Sequence, residues 1–228
     1  MNRLLLLLCT IILSRFAWIH LYPYHFALPY FETDFVDYCV GVAQWDDSTA
    51  HFPPKRSKWA GWLPYFFAND SFVGGYGTLK GLLLASSLSM IGTSVLLIGW
   101  IEQVKRLAGW CTLGFLLSCS PWIGMGRFLN FYPEIVFWIV FATVSMWFGL
   151  QSQSTESNRK TLSMLGRGIL VGSSIGICSV TDVRGLIWAG WFIMLSIAWK
   201  LWHRDTLKMG LSFWSGWAAS VTIFWYIG

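Results

Sequence analysis

Long apolar segments dominate this chain and restrict what it can fold into. The 228 residues are 55% hydrophobic and 12% charged, whereas a soluble domain carries about 25% charged residues. A helix of about 20 mostly apolar residues crosses a bilayer and satisfies its own backbone hydrogen bonds there. The composition therefore predicts an all-α, polytopic membrane protein.

About seven such segments can be recognised. They cover approximately residues 4–22, 79–101, 107–125, 131–150, 166–181, 185–202 and 209–227. The third and fifth segments carry Gly and Ser, which favour close packing between membrane helices. We expect a single transmembrane module over residues 1–228, with one long external loop, residues 23–78, that carries short interfacial helices.

Both ends of the chain are formed by apolar segments. Residues 1–13 resemble a signal peptide, but no small-residue cleavage site follows them, so we expect an uncleaved first membrane helix. The apolar run Val221–Gly228 has no polar tail. That run fits a truncated piece of a longer protein at least as well as a natural terminus.

Basic residues predict the orientation in the membrane, because short cytoplasmic loops carry an excess of Lys and Arg. The polar stretch 151–160 is expected to be one of these loops. The residues that set the orientation are Arg3, Lys105, Arg106, Arg159, Lys160, Arg167, Lys200, Arg204 and Lys208. The N-terminus is therefore predicted to be cytoplasmic, and loop 23–78 periplasmic or luminal. The net charge of +5 is explained by orientation and requires no nucleic-acid partner.

An acidic segment follows the first apolar segment and contains Asp34 and Asp37. Residues 33–45 can form a short helix in which Asp34 and Tyr38 share one face. One hypothesis is that Asp34 is a general base, poised by partial desolvation at the membrane interface, with Asp37 in reserve. The alternative is that both carboxylates only cap a surface helix.

Further charged residues are predicted on the same external side. They are Arg127, Glu134, Asp182 and Arg184, and the external loop adds Lys55 and Arg56. Acids together with arginines suit a site that takes a proton and holds a phosphate. Simpler roles remain open: Glu134 would stabilise a helix dipole, Asp182 and Arg184 would pair with each other, and the loop cations would anchor the chain at the membrane.

Other catalytic signatures are absent from the sequence. It contains no Walker A, GxSxG, HExxH or Rossmann motif. The five Cys and four His residues show no metal-ligand spacing. We therefore predict neither a cofactor nor a metal site, while dependence on a divalent metal is left open.

The pattern resembles the GT-C superfamily of membrane glycosyltransferases, the polyprenyl-phosphate-sugar-dependent enzymes related to protein mannosyltransferases and aminoarabinose transferases. The segment Asp34-Phe35-Val36-Asp37-Tyr38 fits the Asp-x-x-x-Tyr motif at the start of that family's long first external loop. Phe52-Pro53-Pro54 is similar to a proline pair further along the same loop, and Arg15 to an arginine near the outer end of the first helix. Arg127 with Tyr132-Pro133-Glu134 resembles the second external loop.

This resemblance implies an inverting transfer on the external face. Asp34 would deprotonate an acceptor hydroxyl, which would attack a polyprenyl-phosphate sugar. The residues implied in binding substrate or phosphate are Tyr38, Lys55, Arg56, Arg127, Glu134, Asp182 and Arg184. Membrane lipid and the lipid-linked sugar are the expected partners, and the acceptor stays open.

Two other functions fit the sequence. One is a non-catalytic polytopic protein that assists an envelope or glycan assembly complex. The other is a transporter, which ranks last because transporters bind at the bilayer midplane and the acids here are predicted at one face.

Overall fold

The structure, a computed structural model, describes residues 7, 10–11, 66–67, 77–105, 108–119, 132–151, 157–181, 186–192, 194–195 and 207–227. Nearly all of these residues are helical, and none of them lies in a strand. The described part of the chain therefore agrees with the all-α class expected from its composition.

Five helices have defined bounds. They are α1 Gly77–Val104, α2 Ala108–Ser118, α3 Tyr132–Gln151, α4 Ser157–Thr181 and α5 Leu207–Ile227. Residues 186–192 are helical as well. The bounds of α1, α3 and α5 follow the predicted apolar segments closely, since apolar side chains favour a continuous helix there.

The beginning of α4 differs from the prediction. Residues 157–160 were expected in a loop, but they form the first turn of α4. The polar sequence Ser157-Asn158-Arg159-Lys160 extends the helix beyond its apolar part, which covers Leu165–Thr181.

One described helical segment is long and apolar enough to cross a membrane, over Gly81–Val104. Its 24 residues span roughly 36 Å at 1.5 Å per residue, against about 30 Å of bilayer hydrocarbon. The apolar helical segments Tyr132–Trp147 and Leu165–Thr181 are shorter. A buried core helix meets the same criterion, so the seven-span topology stays a prediction.

The chain divides into two compact units, Met1–Pro54 with Gly61–Phe137 and Lys55–Ala60 with Trp138–Gly228, so that one boundary lies inside α3. The first unit contains α1, α2 and the start of α3. The second contains the rest of α3, α4, residues 186–192 and α5.

In the first unit, α1 packs against α2 and against the described residues near the N-terminus. The buried cluster consists of Leu7 and Ile11 with Ile91 and Ile98 of α1 and Leu113 and Leu116 of α2. Gly92 of α1 faces Phe137: a Cβ at position 92 would lie 2.6 Å from its ring. A larger residue at that position would push the ring away.

A carboxylate from α1 caps the N-terminus of α2. The Gly109 N–H donates to the Glu102 carboxylate at 3.2 Å. Gly109 lies in the first turn of α2, where backbone N–H groups have no partner within their own helix. The bond therefore fixes the turn that joins the two helices.

In the second unit, α4 and α5 approach so closely that backbone meets backbone. A Cβ at Gly172 would collide with the Phe213 carbonyl and lie 2.9 Å from the Trp217 nitrogen, and a Cβ at Gly216 would lie 2.9 Å from the Ile169 Cα. This is the Gly-mediated packing that membrane helices favour, as the sequence predicted for the fifth segment.

The contacts also give the relative direction of the two helices. Gly172 of α4 contacts Phe213 of α5, which lies three residues before Gly216. Gly216 of α5 in turn contacts Ile169 of α4, which lies three residues before Gly172. One turn further along both helices, Gly176 faces Ser220. This reciprocal pattern arises when two helices run in the same direction, so α4 and α5 are parallel.

Two long hydrogen bonds accompany the crossing. The Ser173 hydroxyl donates to the Gly216 carbonyl at 3.4 Å, and the Trp217 indole N–H donates to the Ser179 hydroxyl at 3.4 Å.

Around the crossing, a buried apolar cluster joins α3, α4, α5 and residues 186–192. Its members are Ala142, Val171, Ile175, Ala189, Phe192 and Phe213.

Beside the buried apolar clusters, several small hydroxyl residues are buried and many large apolar residues are exposed. The buried hydroxyl residues are Ser86, Ser87, Ser89, Thr93, Ser94, Ser174, Thr181, Ser212 and Ser220. The exposed apolar residues of the second unit include Ile169, Leu170, Leu186, Ile187, Trp188, Trp191, Met194, Leu195, Leu211, Trp214 and Ile223. Exposed apolar area on this scale marks contact with lipid or with another apolar partner.

We expect Gly172→Ala to destabilise the second unit by about 1–3 kcal/mol, because the new methyl group collides with backbone that cannot rotate away. The matched control is Gly166→Ala in the same helix, where a Cβ meets nothing within 4 Å. That change should stabilise the helix by roughly 0.5–1 kcal/mol. Unfolding of the detergent-solubilised protein, followed by circular dichroism, measures both. If both variants shifted the unfolding transition equally and in the same direction, the close contact between α4 and α5 would be contradicted.

We expect Glu102→Ala to remove the cap on α2 at a cost of about 1 kcal/mol. The backbone amides at the start of α2 should exchange their hydrogens with solvent faster in this variant. Glu102→Gln is the control, because its amide oxygen still accepts from the Gly109 N–H. Unchanged exchange in the alanine variant would show that the bond does not hold the turn.

Candidate functional site

Glu134 is the predicted site residue that lies within the described part of the chain. It belongs to the first turn of α3, which begins at Tyr132. Pro133 suits a helix start because its missing N–H would have no partner there. A glutamate in the first turn also interacts favourably with the positive end of the helix dipole.

Burial distinguishes Glu134 from an ordinary residue at a helix start. The side chain is only 4% exposed, and the neighbouring Ile135 is 6% exposed. Burying an ionisable group costs free energy unless it is paired or hydrogen-bonded, and Glu134 does have an interaction partner. A buried, partnered carboxylate at the end of a helix can fix the position of a neighbouring group.

Helix ends in the structure lie next to three further predicted residues. α3 begins five positions after Arg127, and α4 ends at Thr181, immediately before Asp182. Residue 186, two positions after Arg184, is helical. Residues 126–131 and 182–185, where turns were predicted, lie outside the described residues, and Thr181 is helical.

Most of the predicted site lies outside the described residues. This applies to Asp34, Asp37, Tyr38, Lys55, Arg56, Arg127, Asp182 and Arg184, and also to Arg15. Whether these side chains meet Glu134 is therefore untested, and the site stays a prediction from the sequence.

The sequence analysis did not single out the buried hydroxyl groups of α1. Thr93 is fully buried, and its hydroxyl donates to the Ser89 carbonyl at 2.7 Å. The Ser94 hydroxyl donates to the Met90 carbonyl at 2.7 Å. Both hydroxyls therefore form a hydrogen bond within their own helix. The sequence feature that could have predicted their burial is the cluster of Ser and Thr residues inside an apolar segment. Their role is packing.

Among the residues that the structure describes, no group of three or more His, Cys, Asp or Glu could hold a metal ion. The described cysteines are Cys111, Cys119 and Cys178, all of them free thiols.

We expect Glu134→Ala to lower the free energy of unfolding by about 1–3 kcal/mol, because the interaction of this buried carboxylate is lost and its space is left unfilled. Glu134→Gln should cost less, since it keeps the shape and one acceptor oxygen. Thr222→Ala, at an exposed position of α5, is the control and should change stability little. Thermal unfolding in detergent compares the three variants. An alanine variant as stable as wild type would show that the burial of Glu134 has no structural role.

Comparisons with known proteins give no relative for this chain. No family model, no curated protein and no solved structure matches it. A proposal about its function therefore depends on its own residues and on the motif resemblance in its sequence.

Proposed function

We propose that this chain is a membrane-embedded glycosyltransferase that transfers a sugar from a polyprenyl-phosphate donor to an acceptor on the external or luminal face. The observation that carries the proposal is the Asp34-x-x-x-Tyr38 motif, directly after the first apolar segment of a chain whose described part is helical. In the GT-C enzymes that it resembles, an acidic motif of this kind supplies the general base.

The distribution of buried and exposed residues supports a membrane location. Leu211 is 61% exposed and Trp191 56% exposed, whereas Thr93 and Thr181 are fully buried. Lipid solvates exposed Leu and Trp side chains well, and hydroxyl groups contribute to contacts between helices. A lipid-linked donor is accessible to a protein in that environment.

The proposed reaction moves one proton and exchanges one bond. The Asp34 carboxylate takes the proton from the acceptor hydroxyl as its oxygen bonds to the anomeric carbon of the sugar. The bond between that carbon and the phosphate oxygen breaks, and polyprenyl phosphate leaves with the electron pair. Attack from the opposite side inverts the anomeric configuration.

The basic residues of the predicted site would bind the phosphate of the leaving group. Arg127 and Arg184 are suited to hold the phosphate, because guanidinium groups bind its oxygens in pairs. Glu134 would repel a phosphate at short range. We therefore assign the buried Glu134 carboxylate a positioning role, which is to orient a guanidinium group. Lys55 and Arg56 are the alternative phosphate ligands.

We expect Asp34→Asn to lower sugar transfer by about 10²–10⁴-fold, because the amide cannot accept the proton. The full chain, reconstituted in vesicles, is given a panel of radiolabelled polyprenyl-phosphate sugars and a membrane extract as the source of acceptor. Release of free polyprenyl phosphate is the readout, since it does not require the acceptor to be known. Asp37→Asn is the matched control and should retain most of the activity.

Three outcomes separate the alternatives. Wild-type transfer in Asp34→Asn with loss in Asp37→Asn would move the base to Asp37. Full activity in both variants would remove the acidic motif from catalysis. A wild-type protein that releases no polyprenyl phosphate from any donor would favour a non-catalytic role in an assembly complex.

A further inference from the structure

We draw no further inference here: the strongest candidate, the exposed apolar surface of the helical residues 186–192 in the second unit, carries none because nothing in the structure shows what covers it.

Discussion

The backbone contact between α4 and α5 organises the second unit. Dispersion contacts between two helices contribute only at short range. Gly172, Gly176 and Gly216 permit that range because no Cβ separates the two backbones. Phe213 and Val171 are then close enough to complete the buried cluster with α3 and residues 186–192.

Much of the helical framework could be predicted from the sequence, because a helix in an apolar environment must be apolar along its length. The segments predicted at 131–150 and 209–227 correspond to helices at Tyr132–Gln151 and Leu207–Ile227. The helical start of α4 was not predicted, because its residues are polar. Ser157 to Lys160 are polar, and a hydropathy pattern cannot distinguish a polar helical turn from a polar loop.

Helix pairing could not be predicted, because glycines that look alike in the sequence have different surroundings. Gly172 and Gly216 meet backbone, whereas Gly114 and Gly190 meet nothing within 4 Å. The same limit applies to the candidate site. The position of Glu134 at a helix start followed from Pro133 and the apolar run after it. Its burial is a property of the folded structure, and no local sequence pattern encodes it.

The parallel pairing has a consequence for biosynthesis. α4 and α5 are separated in the sequence by the residues between Thr181 and Leu207, so the two glycine surfaces do not emerge from the ribosome together. At about 5–20 residues per second, Gly176 is made a few seconds before Ser220, its neighbour in the folded pair. During that interval the glycine face of α4 lacks the helix that covers it in the folded protein. The last described helix therefore completes the fold of the second unit, and correct assembly depends on its arrival before another helix occupies that face.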